Sequence, residues 1–153
     1  DMNPETKGSR ENPIRSACVV IYRDGKFSAI HQAKRDQVEF AGGKCDIGES
    51  IQACAVREGR EELGVDVFNL RPLFTLPLVH NDGRHYLCTV FHADIKPGAE
   101  LVSSTEGRAF WATRDELLTV PYYRTPDPPN RHQMHLVAIT MIEDKMVGGL
   151  VEP

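Results

Sequence analysis

A chain of 153 residues with 41% hydrophobic and 26% charged side chains is long enough to bury the core of one domain, and its balance excludes a disordered or fibrous protein. A formal charge of −4 without any basic run disfavours tracking of long RNA or DNA, and leaves open a small anionic substrate neutralised by metal ions and a few local cations. No apolar run is long enough to span a bilayer, residues 1–13 hold no signal-peptide hydrophobic stretch, and Cys18, Cys45, Cys54 and Cys88 lack C-x-x-C or zinc spacing. The expectation is a cytoplasmic protein with reduced thiols and no membrane partner.

In chain order, residues 1–12 are polar, charged and aperiodic and read as a flexible arm, with 13–153 as a single domain. The β-branched run Ile14 to Tyr22, the turn residues Arg23-Asp24-Gly25-Lys26 and the run Phe27 to Gln32 predict a hairpin. Lys34 and Arg35 follow in a loop, where they are either solvated cations or, for Arg35, a guanidinium able to grip a phosphate with two parallel hydrogen bonds. Val38-Glu39-Phe40 predicts a short strand leading to a tight corner at Gly42-Gly43.

The stretch Gly43 to Val65, GKCDIGESIQACAVREGREELGV, is the most informative in the chain. Ser50 suits a helix N-cap because its hydroxyl can accept an orphan amide hydrogen, and Gly64 suits the left-handed residue that closes a last turn, so a helix is predicted over 50–63. At 3.6 residues per turn, Glu58, Glu61 and Glu62 share an arc of about 100°. Such like-charge pairs at i,i+3 and i,i+4 cost a few tenths of a kcal/mol each in a bare helix, a sign that a bound cation reverses. Clustered carboxylates without thiolate suit a hard ion, Mg²⁺ or Mn²⁺, that fills its octahedron with water and phosphate oxygens. Arg57 beside that face and Glu49 before the helix can form an ion pair that steadies the acids.

Beyond the helix, Val65 to Val79 reads as extended chain interrupted by Pro72 and Pro77. Asn81-Asp82-Gly83 supplies a turn, Arg84 to Ile95 a returning strand, and Lys96-Pro97-Gly98 a break. Ala109-Phe110-Trp111 predicts a short strand, and Thr113 with Glu116 a capping box before a helix over about 114–118. Residues 119–130 hold four prolines and read as a loop, and the last helix is predicted from after Asn130 to Val147, ending at Gly148-Gly149. His132 and His135 sit at i,i+3 near its start. Two ligands alone make a poor metal site, so both are expected at the helix surface or an interface.

Gly43, Glu49, Arg57, Glu58, Glu61, Glu62, Gly64 and Val65 match the Nudix box, Gly-x5-Glu-x7-Arg-Glu-U-x-Glu-Glu-x-Gly-U with U a bulky aliphatic, and the chain is identified by resemblance as a member of the Nudix family over roughly residues 14–118. Gly59 departs from the pattern where an aliphatic side chain should pack on the sheet, and glycine inside a helix costs roughly 0.8–1 kcal/mol relative to alanine. Ala41 stands where many relatives have proline. The resemblance implies an α/β fold, an α/β/α sandwich with a mixed sheet, and Mg²⁺-dependent attack of water on a nucleoside diphosphate linked to another group. Glu61 and Glu62 correspond to principal metal ligands, Glu58 to a ligand or proton acceptor, Arg57 to its orienting partner, Gly43 to a backbone approach to the metal, and Glu49 to a supporting ligand or ion-pair partner. Glu106 lies where several relatives hold a further metal-binding or general-base glutamate. Arg35 is placed like a phosphate-contacting arginine, and Tyr122, Tyr123 and Asp127 lie where some oxidised-nucleotide hydrolases line the base pocket.

Within the class, the compact length and the Gly-Gly-Lys sequence favour a normal or modified nucleoside triphosphate, cut to a monophosphate and pyrophosphate. ADP-ribose or another nucleotide sugar is the alternative substrate, and a non-catalytic nucleotide-sensing module is the alternative of another class. The last 25 residues are expected either to cover the pocket or to pair two subunits as a homodimer.

Overall fold

The computed structural model describes residues 6–32, 34, 37–80, 82–119 and 129–151, with the side chains of the last helix described over 133–146. Seven strands form one sheet: β1 (Ile14–Arg23), β2 (Lys26–Gln32), β3 (Gln37–Glu39), β4 (Ala41–Lys44), β5 (Phe68–Val79), β6 (His85–Asp94) and β7 (Arg108–Ala112). The β1–β2 hairpin forms as expected, with Tyr22 opposite Phe27. Beyond it the two strands diverge. β1 pairs β6 in parallel on one side and β4 antiparallel on the other, while β2 pairs β3 and β7, both antiparallel. One parallel pair among antiparallel ones makes the sheet mixed.

Alternation along β1 divides the core between two faces, as the period of two requires. Ala17, Val19 and Ile21 pack with Cys54, Ala55 and Leu63 of the box helix, and with Phe91 and Ala93 of β6. Ile14 and Val20 face the other way, with Val90, Leu117, Met134, Ala138, Ile139 and Ile142. Those last residues come from α2 (Arg114–Thr119) and α3 (Pro129–Val151), so the sheet lies between two helical layers in an α/β/α sandwich. The Thr113/Glu116 capping box before α2 is closed in both directions, Glu116 N–H to Thr113 Oγ1 at 3.1 Å and Thr113 N–H to Glu116 Oε1 at 2.8 Å.

Several local expectations change. Residues 6–12, read as part of an arm, are fastened to the sheet: Gly8 N–H donates to Asn12 O (2.7 Å), His85 N–H donates to Gly8 O (2.7 Å), and Asn12 is buried. The Gly42-Gly43 corner is a strand, β4, bonded to β1 from Val19↔Ala41 to Ser16↔Lys44. β5 runs straight through Pro72 and Pro77 because it lies at the end of the strand order, where a missing N–H costs little, with register shifts at 68/71 and 72/74. Helix α3 continues through Gly148-Gly149 to Val151. His135, expected at the helix surface or an interface, is fully buried within the chain: its ring lies against Phe40 (centroids 4.5 Å apart) and its Nδ1 meets Leu117 O at 3.2 Å. Asn81 of the β5–β6 turn lies outside the described residues, as do Arg35, Tyr122, Tyr123 and Asp127.

Candidate active site

The site begins at the end of the box helix. Helix α1 (Ile51–Glu58) starts at Ser50, whose Oγ accepts the Ala53 N–H at 3.0 Å, as predicted. It does not run on as a regular α-helix to Leu63. From Gly59 to Leu63 the chain widens into a π-helical turn, which ends at Gly64 in the left-handed conformation (φ 68°), its N–H bonded to Arg60 O. Widening the last turn changes the azimuths that a constant 100° step assigns. Glu58 and Glu62 turn inward, 7% and 6% exposed, whereas the Glu61 side chain stays 50% exposed. The three acids remain neighbours, but two are desolvated and one faces solvent.

Gly59 explains its own departure from the box pattern. A Cβ built there would lie 3.3 Å from Val67 Cγ1 and 3.6 Å from Val19 Cγ1, so the volume that a bulky side chain would occupy is filled by those two valines.

Strand β4 presents its backbone to the inward acids. Gly42 N–H donates to Glu62 Oε1 at 2.8 Å. At Gly43 a Cβ would fall onto Glu58 Oε2 and lie 2.9 Å from its Cδ, so no side chain fits between the strand and that carboxylate. Gly43 O accepts from the Cys54 thiol at 3.5 Å.

Arg57 joins the loop, the strand and the helix. Its Nε and Nη2 grip Glu49 at 2.8 and 3.0 Å in the two-pronged geometry suited to a carboxylate. Nη1 reaches Glu58 and Glu61 at 3.2 Å each, Nη2 also donates to Lys44 O at 3.0 Å, and Asp46 lies 3.4 Å from Nε. The predicted ion pair of Arg57 with Glu49 is therefore present, and Glu49 meets the guanidinium.

The electrostatics follow from burial. The Arg57 hydrogen bonds, helped by the Asp46 N–H, hold the Glu49 carboxyl down to about 2. Burial pushes Glu58 up against the opposing pull of Arg57, and the charges of Glu61 and Glu106 add to the rise. Burial carries Glu62 up to about 8 despite the Gly42 N–H, with Glu58, Glu106 and Glu39 adding repulsion. Desolvated carboxylates crowded by like charge are a donor set that fits a hard divalent cation: oxygen ligands with negative charge to neutralise. Glu106, exposed on the turn before β7, thus acts electrostatically on the same two acids, and Glu39 on β3 acts on Glu62. Glu39 was not singled out in the sequence, where an acid in a short strand has no periodic partner to mark it.

A cavity of about 220 Å³ opens on the opposite face of the glycine strand, lined by Cys18, Glu39, Phe40, Gly43, Tyr86 and Met134 among others. Its lining mixes apolar side chains with polar ones, among them Gln32 and Glu39, where Gln32 Nε2 donates to Glu39 Oε1 at 3.3 Å. Long-range pairing assembled it, drawing one to three residues from each of several separated strands and one from α3. The pocket candidates Tyr122, Tyr123 and Asp127 are outside the described residues. The described pocket consists of other side chains.

A family model described as NUDIX domain matches residues 12–137. The chain is 46% identical over 57 residues to a CTP pyrophosphohydrolase of Escherichia coli, a match covering 35% of this chain and 42% of that one. It is 35% identical over 124 residues to an NAD-capped RNA hydrolase, NudC, of Mycobacterium bovis, covering 76% of this chain and 38% of the other. The matched segments thus span less than half the length of either relative. A solved NUDIX hydrolase from Nitrosomonas europaea superposes with a TM-score of 0.68 at 22% identity, covering 85% of this chain and 90% of that one.

Proposed function

The chain belongs to the Nudix hydrolases, and from that premise we propose that it hydrolyses the pyrophosphate linkage of a nucleoside triphosphate, normal or modified, releasing a monophosphate and pyrophosphate with the help of Mg²⁺ or Mn²⁺. The observation that carries this reading is the pair of buried, mutually repelling carboxylates, Glu58 and Glu62, with a cavity of about 220 Å³ on the other face of the glycine strand.

Glu58, Glu61 and Glu62 would hold the ion, which supplies Lewis-acid polarisation and a more acidic bound water. Arg57 keeps Glu58 and Glu61 oriented while itself anchored by Glu49, so the acids do not need to reorganise when charge develops. The cavity takes the base between Tyr86, Phe40 and Met134, and the Gln32–Glu39 pair offers both donor and acceptor in its lining. Lys44, exposed at the end of β4 and lining the same cavity, supplies a local cation for phosphate, and Arg35 is proposed as a second. Tyr122, Tyr123 and Asp127 are proposed as further contacts to the base.

The proton acceptor for the attacking water is Glu58 or Glu106. Glu106→Gln leaves the Arg57 network intact, so a loss of kcat of about 10²-fold or more with unchanged KM identifies Glu106, and near-native kcat assigns the role to Glu58.

A relative named for NAD-capped RNA supports a second reading, in which the substrate is a dinucleotide or a nucleotide sugar. One experiment separates the two: phosphate, pyrophosphate and nucleotide products measured with and without Mg²⁺ across nucleoside triphosphates, their oxidised forms, ADP-ribose, NAD and dinucleoside polyphosphates. Metal-dependent pyrophosphate release from a triphosphate supports the first reading. Cleavage of NAD or ADP-ribose alone replaces it with the second. A folded protein that binds nucleotide without turnover overturns both in favour of a sensing module.

A further inference from the structure

All four cysteines are free thiols, and two of them converge with a carboxylate next to the acid face. Cys45 follows β4, Cys54 is fully buried on α1, and Glu49 precedes the helix. One ligand atom from each lies within 4.8 Å of the others. Cys54 Sγ donates to Gly43 O at 3.5 Å and lies 3.9 Å from Arg57 Nη2, a guanidinium placed to face a thiolate. The three ligand atoms therefore already converge, and loss of the two thiol protons frees both sulfurs for a cation.

We propose that Cys45, Cys54 and Glu49 form a binding site for a thiophilic divalent cation of the Zn²⁺ or Cd²⁺ class, separate from the carboxylate set of Glu58, Glu61 and Glu62. Two thiolates and one carboxylate leave a fourth tetrahedral position for water, and soft sulfur ligands discriminate against Mg²⁺. With metal–sulfur bonds of about 2.3 Å and metal–oxygen bonds of about 2.0 Å, tetrahedral ligands stand roughly 3.5–3.8 Å apart. From within 4.8 Å, the cluster reaches that spacing by closing about 1.3 Å at most. On binding, two S–H bonds break, two sulfur–metal bonds form, and both protons go to solvent.

The local charges accommodate this exchange. Glu49 already spends three of its roughly four acceptor positions on the Asp46 N–H and the Arg57 guanidinium, which leaves one for the ion. If Glu49 turns toward the ion, Arg57 still has Asp46, Glu58, Glu61 and the Lys44 carbonyl. No buried charge is orphaned. The balance of the Arg57 network shifts toward Glu58 and Glu61, the acids it orients, so occupation restrains hydrolysis. That consequence rests on the function proposed above, whereas the binding itself does not.

The test titrates Cd²⁺ into the reduced, metal-free protein under saturating Mg²⁺, following the ultraviolet thiolate-to-cadmium charge-transfer band and hydrolysis in parallel. The expected band saturates at one Cd²⁺ per chain, disappears in Cys45→Ala and in Cys54→Ala, and persists in Cys88→Ala, which breaks the other thiol contact, Cys18 Sγ to Cys88 Sγ at 3.6 Å. Cys45→Ser, which keeps the size of the side chain and removes the soft ligand, serves if burial makes Cys54→Ala unstable. Hydrolysis should fall about tenfold or more as the band grows, with Mg²⁺ excess giving no relief and Cys45→Ala keeping its basal rate under Cd²⁺. A band that survives Cys45→Ala, or vanishes in Cys88→Ala, overturns the site. Inhibition that Mg²⁺ relieves, or that persists in Cys45→Ala, overturns the coupling by assigning it to displacement at the acids. A protein without hydrolytic activity still decides the site through the band.

Discussion

Gly43→Ala separates the catalytic geometry from the fold. The added Cβ would sit on Glu58 Oε2 and 2.9 Å from Cδ, so the carboxylate must withdraw until Cδ reaches ordinary contact at about 3.5–4.0 Å. That is a displacement approaching 1 Å, and it breaks the 3.2 Å contact from Arg57 Nη1 that orients the group. A misplacement of that size costs about 10²-fold in rate, or about 2.7 kcal/mol of transition-state stabilisation. Stability should fall less than when a backbone must yield, because the atom that must move ends a flexible side chain, although Glu58 is buried and its weakened pairing with Arg57 carries a cost of its own. Gly42→Ala is the contrast: its Cβ would meet Ala17 O at 2.5 Å and Cys18 Cα at 2.9 Å, backbone atoms of β1 that can yield only if the strands part. The assay pairs kcat and KM for metal-dependent pyrophosphate release with thermal unfolding of both variants. Gly43→Ala with wild-type kcat, or with a larger loss of melting temperature than Gly42→Ala, would refute the reasoning.

Three further outcomes follow from burial. Glu62 has a folded-state pKa of about 8 against an ordinary 4.5, so the folded metal-free protein binds the extra proton. Its stability should fall on the order of a few kcal/mol as pH rises from 4.5 through 8, and Glu62→Gln or added Mg²⁺ should flatten that slope in urea unfolding while Glu62→Gln abolishes turnover. His92 behaves in the opposite sense. Burial, reinforced by Arg71, lowers it from 6.5 to about 4, so with Mg²⁺ present stability should drop by roughly 3 kcal/mol as pH falls through that window; an unchanged slope in His92→Gln would count against it. Gly59→Leu restores the family's side-chain type but forces it against Val67 and Val19, and should destabilise by about 1–3 kcal/mol in denaturant melts; a stabilised variant would show that the π-helical turn had room to spare.

The helix start at Ser50, the stop at Gly64, the β1–β2 hairpin and the Thr113/Glu116 box were legible in the sequence. Each depends on contacts within a few residues, which chain order preserves. The Arg57–Glu49 pair was legible for the same reason, since eight residues of loop and helix bring the two together. The π-helical turn was not. Its only local trace is Gly59, and the widening depends on Val67 and Val19 arriving from the loop before β5 and from β1. Nor could a helical step of constant angle say that Glu62 would be buried against Gly42 while Glu61 remained in solvent. Strand β4 hid behind its glycines, whose weak strand propensity was overridden by pairing along β1.

The amino-acid sequence by itself determined the family, the acid cluster and the sign of the charge that the cluster requires, because these are written in residue types at fixed short spacings. The tertiary structure decided which acids lose their water, which cysteines face one another and where the cavity opens. Desolvation and convergence are properties of strands and helices far apart in the chain, packed from both sides onto one mixed sheet.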